Sequence, residues 1–148
     1  MSTPSYVTLI SGVVDSLKDY SELTTLVSSS QIYYGGPEQQ ALLSFPSITV
    51  ELTEANETDI AMPARKELAA NFVITAYDAS PDYITGIQNV QNIVKRIDDA
   101  LQVKYTIDGQ AIYSQVTNRS FLPGEYDTIP IMACRLSYTA RVRFVRAS

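Results

Sequence analysis

Residues 134–146 read CRLSYTARVRFVR, and the fold turns on how this stretch is read. Cys134, Leu136, Tyr138, Ala140, Val142 and Phe144 alternate with Arg135, Ser137, Thr139, Arg141 and Arg143. A period of two places each set on its own side of a β-strand. The apolar set predicts a sheet face pressed onto a core. The other set carries three arginines, and the strand alone does not say what they face. From Arg119 onward the chain holds five of its eleven Lys and Arg residues, although its formal net charge is −5.

Two further alternations supply neighbours for that strand. Ile48, Val50 and Leu52 alternate with Thr49, Glu51 and Thr53 behind Pro46, which sits ahead of the strand where no ladder N–H is needed. Leu68, Ala70, Phe72, Ile74 and Ala76 form the second apolar face. Between them EANETDIAMPAR, residues 54–65, reads as an extended acidic loop without structure of its own. Together these segments predict an antiparallel hairpin with a protruding arm at about 54–65. The arm is expected to be mobile in the free chain and ordered by assembly, because it has few apolar residues with which to offset the entropy of fixing its backbone.

Two helices complete the core. Thr3-Pro4 offers a cap and a first-turn proline, and Tyr6, Leu9, Ile10, Val13 and Leu17 follow one helical face to about Tyr20. Ser80-Pro81 repeats that start ahead of the clearest stripe in the chain: Ile84, Ile87, Val90, Val94, Ile97 and Leu101. A short strand is expected near Gln31–Tyr34, followed by a turn at Gly35-Gly36-Pro37. Asp108-Gly109 predicts a hairpin between two short β-runs in KYTIDGQAIYSQV, and Pro123-Gly124 and Ile129-Pro130 predict a loop after it. The expected class is α/β of the α+β type: one domain over residues 1–148, a mainly antiparallel mixed sheet, and two principal helices on one face.

The composition excludes much chemistry. There is no histidine, so histidine-based triads, histidine metal ligands and histidine acid–base catalysis are absent. Gly35-Gly36 lacks the GK[ST] of a phosphate loop, and no GxGxxG or GxSxG occurs. Glu51, Glu54, Glu57 and Asp59 lie close in sequence but do not match a calcium loop, and Asp98-Asp99 reads as a solvated pair in need of a neighbouring cation. No cofactor, metal or catalytic residue is expected. Cys134 is expected to be a buried thiol, and the sequons at Asn56 and Asn118 to be chance. No secretory start and no apolar run of membrane-span length is read, so a soluble cytoplasmic product is expected. The acidic total argues against a general nucleic-acid binder.

The order of an amphipathic first helix, the Pro-led strand FPSITVEL, a charged hairpin arm, the long strand ELAANFVITAYDA, one long helix, a DG-type hairpin and a basic alternating last strand resembles the tail-terminator, or tail-completion, proteins of long-tailed bacteriophages. That resemblance implies a non-enzymatic virion protein at the head-proximal end of the tail. Its partners would be copies of itself in a hexameric ring, the tail tube protein and neck or connector proteins, with genomic DNA passing only as transient cargo and no membrane. The alternatives are a neck or head-completion protein and a small ligand-binding α/β domain. Under the first reading Glu51, Glu54, Glu57, Asp59, Arg65, Glu67, Arg135, Arg141 and Arg143 are the candidate subunit-interface residues. The arginines pair with carboxylates, face DNA in a channel, or are solvated.

Overall fold

The computed structural model describes residues 5–36, 44–61, 65–107, 109–126 and 128–145. Helix α1 (Tyr6–Lys18) is followed by the short α2 (Ser21–Thr24), a 3-10 turn at Ser29–Gln31 and strand β1 (Ile32–Tyr34). Strands β2 (Ser47–Ala61) and β3 (Arg65–Ala79), helix α3 (Tyr83–Val103), and strands β4 (Tyr113–Tyr126) and β5 (Ile129–Val145) complete the chain. The sheet order is β1-β2-β3-β5-β4, with β1 parallel to β2 and every other neighbour antiparallel. The α+β class and the mixed, mainly antiparallel sheet are as the sequence predicts.

The alternation that opened the analysis holds residue by residue. Cys134, Leu136, Tyr138, Ala140, Val142 and Phe144 are buried, and so are Leu68, Ala70, Phe72, Ile74 and Ala76 across the ladder. Both helices cover this face: α3 lies over β3, β5 and β4, while α1 lies over β1 and β2 and against α3. Leu9, Val13 and Leu17 of α1, with Val90, Val94, Ile97 and Leu101 of α3, supply the facing layer. Burial of that apolar area is the main driving force for the fold.

Several boundaries differ from expectation, each for a local reason. The α1 cap is Ser5, whose hydroxyl accepts from the Thr8 N–H at 3.3 Å; Thr3 and Pro4 lie outside the described residues. The α3 cap is Asp82 rather than Ser80, its carboxylate accepting from the Thr85 N–H at 2.9 Å. A carboxylate two residues further on serves the same free N–H groups and carries the favourable charge for a helix start. The expected hairpin at Asp108-Gly109 is not formed. Residues 104–107 make turns that end α3, with the Ile107 N–H donating to the Lys104 carbonyl at 2.8 Å, and Asp108 lies outside the described residues.

The expected loop around Pro123-Gly124 and Ile129-Pro130 is instead part of two long strands, paired to the end at Tyr126↔Ile129. The arm is not a loop without structure either: the β2–β3 ladder runs out through Glu57↔Leu68 and Asp59↔Lys66 to Ala61↔Arg65. Each outer strand carries a bulge, at Thr53 in β2 and at Thr117 in β4. In both, the threonine hydroxyl donates back to a carbonyl of the inner neighbour, Thr53 to Asn71 at 3.1 Å and Thr117 to Ser137 at 3.3 Å.

Candidate functional site

Residues that pair across a ladder share a side of the sheet, so the register sorts the expected interface residues by face. Arg135, Arg141 and Arg143 lie on the side away from the helices, between buried neighbours on β5. Glu51, Glu54 and Glu67 share that side. Glu57 pairs with buried Leu68, and Asp59 with Lys66, so these two carboxylates lie on the helix side of the arm. The acidic arm therefore presents charge to both sides. Its residues Glu54, Glu57 and Asp59 are exposed, as is Arg65 at the tip, while Glu51 is half-buried.

The clearest electrostatic feature is a fork on Glu67. The Arg141 Nη1 donates to Oε1 at 2.8 Å and the Arg143 Nε to Oε2 at 3.2 Å, leaving the carboxylate side chain only 13% exposed. Two arginines two residues apart on one strand reach the same side, and Glu67 stands opposite Arg143 in the register. The Arg141 hydrogen bond holds the Glu67 carboxyl below its ordinary value against the opposing effect of burial, with Arg143 adding to the lowering. A carboxylate whose folded-state pKa is depressed contributes stability that is present above its unfolded pKa and lost as pH falls through the folded value. Acid titration of wild type is therefore expected to show an extra loss of stability below about pH 4.3. Glu67→Gln should abolish that component and cost about 1–3 kcal/mol at neutral pH. An unchanged acid limb in denaturant melts of the variant would contradict the fork.

Arg135 is different. It is exposed, sits opposite Thr75 and Ser120, and makes no ion pair among the described residues. Near it the helix-free side is closed rather than solvated: Ser47, Thr49 and Thr75 are buried, and burial pushes the Tyr77 phenol up. The Ser47 and Thr49 hydroxyls have no hydrogen-bond partner among the described residues.

On the helix side a groove runs between α3 and β4. Asp98 and Arg119 bridge it, with the Arg119 Nε donating to Asp98 Oδ2 at 3.2 Å. On one side of the bridge lies a cavity of about 220 Å³ floored by Leu101, Val116 and Tyr138. On the other a shallower depression runs beside Ile87, Lys95 and exposed Phe121. Arg96 reaches both Glu22 at 2.9 Å and Asp99 at 3.5 Å, so each member of the acidic Asp98-Asp99 pair has its cation. Arg119, Asp98 and Lys95 were not singled out as interface residues. Their grouping depends on the β4 bulge, which leaves no periodic signal in sequence. Among the described residues no group of three potential ligands is placed to hold a metal, and no helix is long and apolar enough to cross a membrane.

Cys134 is fully buried, and burial pushes its thiol up to about 11. A thiol held neutral and inaccessible does not react. Maleimide is expected to leave the folded chain unlabelled and to add one equivalent in denaturant. Labelling of the native protein at the rate of a free thiol would contradict that burial.

No family model matches the sequence, and no curated protein matches it. Among solved structures the chain is similar to a chain in the virion of a native gene transfer agent particle, at 18% identity and a TM-score of 0.59. The likeness covers 95% of this chain and 100% of that one. At this identity the likeness is one of fold.

Proposed function

We propose that this chain is a virion structural protein of a phage-like particle, acting as a tail terminator. In this reading copies assemble into a hexameric ring on the head-proximal end of the tail tube, end its polymerisation and offer a surface to the neck proteins. The observation that carries the reading is the end-to-end correspondence of fold with a chain built into such a particle. The element order read from the sequence supports it as well, as do long sheet edges that a ring can use up. Glu51, Glu54, Glu57, Asp59, Arg65 and Arg135, which line the arm and the helix-free side, are the interface residues in this reading; Arg141 and Arg143 hold Glu67 within the chain and shape that side.

The test is to delete the gene from the particle's genome and image the tails. A terminator is expected to leave tubes of uncontrolled length, and complementation should restore one length together with a six-fold ring at the head-proximal end. Tails of normal length that fail to join heads would instead identify a neck or head-completion protein. A position elsewhere on the particle, or a stoichiometry unlike six, would overturn the terminator reading.

A further inference from the structure

We propose that the two outer strands of the sheet are complementary halves of one joint: the free edge of the β2 arm in one copy pairs antiparallel with the free edge of β4 in the next copy, head to tail. The proposal deepens the ring reading and depends on it only for closure of the array.

The edges themselves are the first observation. β1 covers only Ile48–Val50 of the outer side of β2, so residues 51–61 have no strand beyond them among the described residues. β4 ends the sheet on the other side and is open along residues 113–126. An uncovered strand presents a row of unpaired N–H and C=O groups, which single domains blunt with lysines, prolines or charges. β4 has no lysine, its one arginine turns inward to Asp98, and Tyr113, Phe121 and Leu122 are 39–43% exposed along it. Pro123 blunts only the end nearest the β4–β5 turn.

Direction and shape are the second. β2 and β5 run one way and β3 and β4 the other, so a copy added without inversion brings β2 beside β4 in antiparallel orientation, the more favourable pairing. The Leu52, Phe72, Tyr138 and Val116 positions form one cross-strand row, and the bulges at Thr53 and Thr117 both adjoin it. Bulges bend and twist the strands that carry them, so both open edges bend at the same height.

Charge is the third. Residues 51–61 carry Glu51, Glu54, Glu57 and Asp59 and no base. Beside β4, on the helix side, stand Arg119 and the exposed Lys95, which makes no ion pair among the described residues. Glu57 and Asp59 project to that same side of their own sheet, so sheet continuation brings arm carboxylates toward Lys95 of the next copy. An isologous contact, arm to arm, would instead set like charges together.

Cysteine pairing tests the joint, since native Cys134 is buried. Asn56→Cys or Thr58→Cys on the arm is mixed with Gln115→Cys, Asn118→Cys or Ser120→Cys on β4, in otherwise full chains, and oxidised. At least one mixture is expected to give a 1:1 covalent dimer while neither partner alone cross-links, and the same two cysteines in one chain should give a ladder. Lys95→Glu should weaken self-association about tenfold or more, with partial recovery on adding Glu57→Lys; thermal melts establish that each variant is folded. Covalent homodimers from a single variant would overturn the head-to-tail joint. Assembly into rings without any arm–β4 cross-link would overturn it and leave the ring reading standing. A ladder of open chains that never closes would keep the joint and sink the ring. No self-association at the solubility limit, with or without isolated tail tubes, would sink both.

Discussion

Phe72→Ala is expected to cost about 3–5 kcal/mol of folding stability, a large part of the 5–15 kcal/mol that a domain of this kind holds. Phe72 lies on β3, which has a strand on either side, is 1% exposed, and stacks at a tilt on Tyr138 with ring centroids 5.9 Å apart. The pair stands directly opposite in the β3–β5 register. Strands on both sides and helices above leave little room to collapse into the space of a lost ring, so the cavity term adds to the transfer term. Tyr138 also ties the core to the sheet edge. Its hydroxyl, pushed up to about 12 by burial, donates to Ser114 Oγ at 2.6 Å, and Ser114 donates to the Tyr105 carbonyl at 2.8 Å. Tyr138→Phe keeps the ring and should cost only about 1 kcal/mol. Urea titrations check both. A Phe72→Ala loss no larger than that of Tyr138→Phe would mean that this row is not the centre of the core.

Gly12→Ala is expected to destabilise by about 1–3 kcal/mol although alanine is the better helix residue by about 1 kcal/mol. A Cβ at position 12 would stand 2.5 Å from Ile107 Cγ2 and 2.7 Å from Gln110 Nε2. The glutamine tip can swing away. Ile107 cannot easily do so, because it is fully buried and its φ is +51°, a conformation unfavourable for a β-branched residue. The close approach of α1 to the turn after α3 thus depends on a missing side chain on one partner and a strained backbone on the other. Ile107→Ala alone loses buried area but makes room, so the two substitutions should be non-additive, the double variant being at least about 0.5 kcal/mol more stable than the sum of the two losses predicts. Additive losses, or a neutral Gly12→Ala, would remove this packing from the account.

What sequence reveals here follows which positions have one wet side and one dry side. β3, β5 and α3 were legible because Leu68 to Ala76, Cys134 to Phe144 and Ile84 to Leu101 bury a single face and so carry a period. The outer half of β2 and most of β4 are exposed on both sides, and their residues obey no period. Asn118, Ser120 and Pro123 read as loop for that reason, yet a proline at a sheet edge loses no ladder bond. The Glu67 fork was half legible. Glu67 and the arginines stood out as charges, but only the β3–β5 register shows that Arg141 and Arg143 meet Glu67 in their own chain.

The bulges at Thr53 and Thr117 also set the parity of everything beyond them. Glu51, Glu57 and Asp59 are all odd-numbered and would line one side of an unbroken strand; the extra residue at 53 sends Glu57 and Asp59 to the opposite side from Glu51. In β4 the extra residue at 117 does the same for Arg119 and Phe121, which would otherwise share a side with Tyr113 and Gln115 and miss Asp98 and α3. Each threonine is thus a one-residue frame shift written into a strand. Deleting Thr117 would leave composition and net charge unchanged while exchanging the two surfaces of the rest of β4, turning Arg119 onto the side where Arg135 and Arg141 already stand. A lineage that gained or lost one codon at either position would redraw its charged surface in a single step, and two such relatives would align well by strand order yet disagree, position by position, about which residues face the helices.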